Sequence, residues 1–158
     1  MKSFSFHSLK QSLIPPSREG WILGYFGLVP FVFLACVSWL AKGVLQQSLI
    51  FALLAYGASI LSFLGAIHWG LAFHESQLPP ARMLAWGVMP SLWSWVALMA
   101  GSTTGLWLIT IGLCVCLAVD WRVYPRFGLS NWLGMRLALT MVASLSCVTA
   151  SLGLVPAA

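Results

Sequence analysis

Most of the chain divides into five apolar runs of membrane-spanning length, at about 21–40, 48–73, 83–100, 106–119 and 133–154. A helix rises ~1.5 Å per residue and the hydrocarbon layer is ~30 Å thick, so about 20 apolar residues are needed to cross it. The runs are uniformly apolar and lack the period-two alternation of barrel strands. Helices are therefore expected, each satisfying its own backbone hydrogen bonds in lipid. Charged residues make up 7% of the chain, against about 25% in soluble domains, which leaves too little charge to cover a water-facing surface. A soluble enzyme, a disordered tail and a nucleic-acid-binding module are excluded on this ground.

The breaks between runs carry turn-forming residues. They are Lys42-Gly43, the stretch from His74 to Pro80, the stretch from Gly101 to Gly105, and the stretch from Asp120 to Gly128. Trp21, Trp69, Trp86, Trp121, Tyr124 and Trp132 fall near the expected ends, where interfacial aromatics collect. Five crossings place Lys2, Lys10, Arg18, Arg82, Arg122, Arg126 and Arg136 on one side of the membrane and Lys42 alone on the other. The positive-inside rule then orients the chain. The expectation is an all-α integral membrane bundle of five transmembrane helices, N terminus cytoplasmic and C terminus periplasmic. It sits in a bacterial inner membrane or, alternatively, a mitochondrial inner membrane. The net charge of +5 follows from this topology and implies attraction to anionic headgroups on the cytoplasmic side, not to nucleic acid. The segment 1–20 reads as a cytoplasmic amphipathic tail, with Phe6, Leu9 and Leu13 on its apolar side.

In the second run Ala58, Ser62, Ala66 and Gly70 recur every four residues, a stripe of small side chains expected to serve as a helix-packing face. Ionisable residues at membrane depth are costly, so they are expected to face protein or water. His68 stands near the cytoplasmic end of this run, with Glu75 seven residues later as an acid partner. Asp120 lies at a helix C-terminus, where the macrodipole disfavours it, and Arg136 lies about a turn inside the fifth run, so the two are expected to brace each other. His68, Glu75, Arg82, Asp120, Arg122 and Arg136 thus form a candidate polar site at one leaflet. Pro30 and Pro90 fall within runs and predict kinks. Cys36, Cys114, Cys116 and Cys147 lack metal-ligand spacing and read as packing residues. No cofactor or metal is expected, and no P-loop, dinucleotide fingerprint or nucleophile elbow is present.

The run Tyr56-Gly57-Ala58-Ser59-Ile60-Leu61-Ser62-Phe63-Leu64-Gly65-Ala66-Ile67-His68-Trp69-Gly70 resembles the domain of unknown function 3429 family, as do Gly27-Leu28-Val29-Pro30-Phe31 and Gly87-Val88-Met89-Pro90-Ser91. That family includes a mitochondrial transmembrane protein and many proteobacterial proteins. The resemblance covers most of the chain from Gly20 to Leu154 and implies an inner-membrane protein, with no established reaction attached. The first expectation is a non-enzymatic protein that binds a membrane-protein partner, a lipid or an assembly intermediate through the polar rim, alone or as a homo-oligomer. The alternatives are a small oligomeric transporter or channel and a membrane enzyme acting on a lipid headgroup or quinone.

Overall fold

Residues 17–75 and 81–153 are described by the computed structural model, and the amphipathic tail expected before residue 17 lies outside them. The described chain is helical throughout: α1 (Arg18–Phe26), α2 (Val29–Leu40), α3 (Gly43–Glu75), α4 (Ala81–Met99), α5 (Ser102–Val123) and α6 (Leu133–Leu152). Two short 3-10 turns, Tyr124–Phe127 and Ser130–Trp132, join α5 to α6.

The first apolar run is not one helix. Pro30 has no N–H to give and stands in the first turn of α2, where that loss costs nothing, so the chain stops at Gly27 and restarts. The Tyr56 hydroxyl donates to the Gly27 carbonyl at 2.8 Å, satisfying one of the groups exposed at the break. Pro30 therefore starts a helix where a mid-helix kink was expected, whereas Pro90 does lie inside α4. Helices α3, α4 and α5 are longer than the apolar runs that predict them. Residues 102–105 and 120–123, expected in loops, are helical. Gly101, at φ +84°, makes the turn between α4 and α5 with almost no loop.

Among the described residues four segments are long and apolar enough to cross a membrane: Arg18–Leu40, Gly43–His74, Ser102–Phe127 and Ser130–Leu152. The 33 residues of α3 extend about 50 Å, more than one hydrocarbon thickness, so the helix tilts or projects. At 19 residues α4 has the length of a span, but Arg82, Trp86, Trp93 and Trp95 lower its mean hydropathy and it is not among the four.

The helices α3 and α4 run against each other and meet where Gly65 faces Gly87. A Cβ on Gly65 would strike the Gly87 carbonyl, and one on Gly87 would strike the Trp69 ring. The Trp69 indole then donates to the Leu84 carbonyl at 2.8 Å, and Trp93 donates to Leu108 across the α4–α5 contact, also at 2.8 Å. The seam on α3 is therefore not the small-residue stripe. Ala58 is buried, but Ser62 is half-buried and Ala66 and Gly70 are exposed. The reason is angular: a strict four-residue step drifts around a helix of 3.6 residues per turn. The buried positions Leu54, Ala58, Leu61, Gly65, His68 and Ala72 alternate steps of four and three, and so stay on one face.

The core comprises Phe31, Ile50, Leu53, Leu54, Leu61, Leu106, Ile109 and Leu113, all essentially inaccessible. It separates two polar ends. At one end Gln46 Nε2 donates to Ser38 O (3.1 Å) and Gly153 O (2.9 Å), tying α2, α3 and α6 together. At the other end are Arg18, His68, Arg82, Asp120, Arg122, Arg126 and Arg136. The described chain begins at this second end and finishes at the first.

Candidate functional site

Three ionisable side chains from three helices converge at the arginine-rich end. Asp120 of α5 is 1% exposed, His68 of α3 2% and Arg136 of α6 7%. Arg136 Nε donates to Asp120 Oδ2 at 2.8 Å, and Nη2 approaches the same oxygen at 2.7 Å, without the alignment of a hydrogen bond. The guanidinium thus occupies one carboxylate oxygen. The other, Oδ1, faces His68 Nε2 at 3.4 Å.

The histidine is held from its opposite side by the Leu64 carbonyl, 3.2 Å from Nδ1. A carbonyl only accepts, so Nδ1 carries the proton in that contact. Neutral His68 would then turn a lone pair toward Oδ1, and a second proton on Nε2 converts that contact to attraction. Arg136 keeps the carboxylate's charge compensated. The Trp86 ring stands edge-on to His68 at 6.2 Å and the Tyr124 ring lies tilted at 6.5 Å, enclosing the imidazole.

Asp120 and Arg136, expected to brace each other, meet directly. Arg82 and Arg122 are exposed, and Arg122 Nη1 folds back onto the Ala118 carbonyl at 3.2 Å. Glu75 closes α3, and its side chain lies outside the described residues. The acid facing His68 is Asp120. Helix α5 runs on for another turn past the point where a loop was expected, and this carries the carboxylate inward to the histidine. Trp86 and Tyr124, expected as interfacial belt residues, are the walls of the site. Their sequence positions beside helix ends could not distinguish a ring facing lipid from one facing His68. Cys116 and Cys147 are buried and Cys36 and Cys114 exposed. Among the described residues no three His, Cys, Asp or Glu side chains cluster as a metal site requires.

Two cavities flank the triad. One, of about 510 Å³, is lined by His68, Arg82, Met83, Trp86, Val119, Val123, Arg126 and Phe127. The other, of about 370 Å³, lies between α1, α3 and α6 and reaches Arg136 from the opposite side.

A family model described as "Protein of unknown function (DUF3429)" matches residues 16–152. The chain is 37% identical over 131 residues to "Transmembrane protein 69" of Xenopus tropicalis, an alignment covering 80% of this chain and 51% of that protein. It is 33% identical over 127 residues to the protein of the same name from Mus musculus, covering 77% of this chain and 51% of that one. The chain thus spans about half the length of the curated relatives it matches. No solved structure matches it. With the family model covering nearly all of its helical region, this membrane protein belongs to the DUF3429 family of proteins of unknown function.

Proposed function

We propose that the protein is a non-enzymatic inner-membrane binding protein that crosses the bilayer five times, with its N terminus on the cytoplasmic or matrix side, and holds an anionic lipid headgroup at that leaflet. The observation that carries this reading is the shared cavity of about 510 Å³ at the arginine-rich end, where Arg82 and the buried His68 face the same space. The chemistry suits an anion. The Arg82 guanidinium is exposed and available to a phosphate, while His68 Nε2 stays turned to Asp120 Oδ1, and the Met83, Val119 and Phe127 walls suit the apolar part of the same lipid. A polar path through the bundle finds no support among the described residues, because Leu54, Leu61, Leu106, Ile109 and Leu113 fill its middle.

The test is lipid retention. Protein purified in mild detergent and relipidated with an equimolar mixture of phosphatidylglycerol and phosphatidylcholine should retain phosphatidylglycerol in native mass spectra. Arg82→Gln should reduce that retention several-fold without altering the thermal midpoint. Equal retention by Arg82→Gln and wild type would overturn the headgroup site. Reporters fused before Met1 and after Ala158 should fall in opposite compartments; the same compartment for both would remove the five-crossing topology.

A further inference from the structure

The second cavity differs in kind from the anion site. Its walls are apolar side chains of α1, α3 and α6, and Leu23 and Phe63, 72% and 61% exposed, flank it toward the lipid. Whatever enters comes from the hydrocarbon layer and not from water. At about 370 Å³ it falls in the ~300–1,000 Å³ range of small-molecule sites.

One side is polar, and three of the groups there, Thr140 Oγ1, Arg136 Nη2 and Trp132 Nε1, make no aligned hydrogen bond among the described residues. Thr140 is 3% exposed, and its Oγ1 makes no hydrogen bond. Elsewhere in the bundle Ser94, Thr110 and Ser146 return their hydroxyl protons to the carbonyl four residues earlier, at 2.7 to 2.9 Å, and Ser144, one turn further along α6, is like Thr140 without a partner. One turn away along α6, Arg136 Nη2 has no aligned acceptor, and beyond it Trp132 Nε1 has none. All three residues line the cavity. Unmet buried donors are costly, and an occupant that satisfies them recovers that cost.

We propose that this cavity binds an oxidised lipid-soluble quinone, its ring between α1 and α6 and a carbonyl oxygen at Thr140 and Arg136. Three features select this chemistry. Indole and guanidinium N–H groups cannot accept, so the head of the ligand must be an acceptor. The Arg136 charge is matched by Asp120, so what remains is hydrogen-bond capacity and not net charge, which favours a carbonyl over a phosphate. The opening between Leu23 and Phe63 gives an isoprenoid tail an exit into the bilayer. This site is separate from the Arg82 cavity, and the two readings fail independently.

The test uses decylubiquinone titrated into full-length protein in phosphatidylcholine nanodiscs, corrected against empty discs. Saturable one-to-one binding is expected. Thr140→Val removes a hydroxyl that bonds nothing in the ligand-free protein, so it should leave the thermal midpoint in place while weakening decylubiquinone about tenfold. Leu139→Trp, which fills the cavity, should abolish saturable binding, whereas Arg82→Gln should not change it. Decylubiquinol oxygens can still accept, but each carries a proton for which the Arg136 and Trp132 N–H groups offer no acceptor, so it should bind more weakly than the quinone. Unsaturable uptake, equal affinity in wild type and Thr140→Val, or tighter binding of the quinol would each overturn the proposal. So would finding the cavity held by a copurifying phospholipid that decylubiquinone does not displace.

Discussion

Breaking the Asp120–Arg136 pair one partner at a time is the perturbation the structure bears on most directly. Both residues are more than nine-tenths buried, the guanidinium makes two approaches of 2.7 and 2.8 Å to one oxygen, and no other carboxylate is near to replace it among the described residues. Asp120→Asn keeps the shape of the site but leaves a buried guanidinium uncompensated. Arg136→Met keeps the reach of the side chain and leaves the carboxylate with only the loose His68 contact. Removing one member of a buried pair costs ~3–5 kcal/mol, and because unfolded membrane proteins also find polar partners in lipid, the lower end applies: about 3 kcal/mol for each single variant. The double variant removes both charges together, so its cost should be about 1 kcal/mol, and the coupling between the two positions should exceed about 2 kcal/mol. Reversible unfolding in mixed detergent and dodecyl sulfate micelles measures all four corners of this cycle. Additive losses, with coupling under about 0.5 kcal/mol, would show that the pair does not hold α5 to α6 and would refute the reasoning.

Two further substitution sets separate the observed packing from the pattern of small residues in the sequence. Gly65→Ala drives a methyl into the Gly87 carbonyl and should cost about 1–3 kcal/mol, while Gly70→Ala meets open space and should be neutral or slightly stabilising; equal effects in the same unfolding assay would contradict the seam. Gln46→Leu leaves the Ser38 and Gly153 carbonyls without their shared donor and should cost about 1–3 kcal/mol, with faster amide exchange confined to the ends of α2 and α6; unchanged exchange there would show the clamp to be idle.

What could be read from the amino acids alone follows from which forces are local. Burial in lipid acts on every residue of a run, so the helical class and the approximate positions of the helices were legible from hydropathy. The arginines' shared end followed from counting crossings. The Asp120–Arg136 contact was legible for a related reason: two opposite charges at membrane depth have few places to go, and the end of one run and the start of the next placed both on the same side of the membrane. Illegible were the features that depend on rotation and on where a helix actually stops. The small-residue stripe of α3 predicted the wrong face because a four-residue repeat and the helical period diverge by a large fraction of a turn between Ala58 and Gly70. Placing Asp120 at a helix end hid its histidine partner, since the polar run from Asp120 to Arg126 reads as a loop, whereas the helix persists through Val123 once Asp120 is neutralised inside the bundle. The unpaired hydroxyl of Thr140 has no sequence signature at all. A threonine in a membrane helix ordinarily bonds its own backbone, and that this one does not is a property of the space left between α1 and α6.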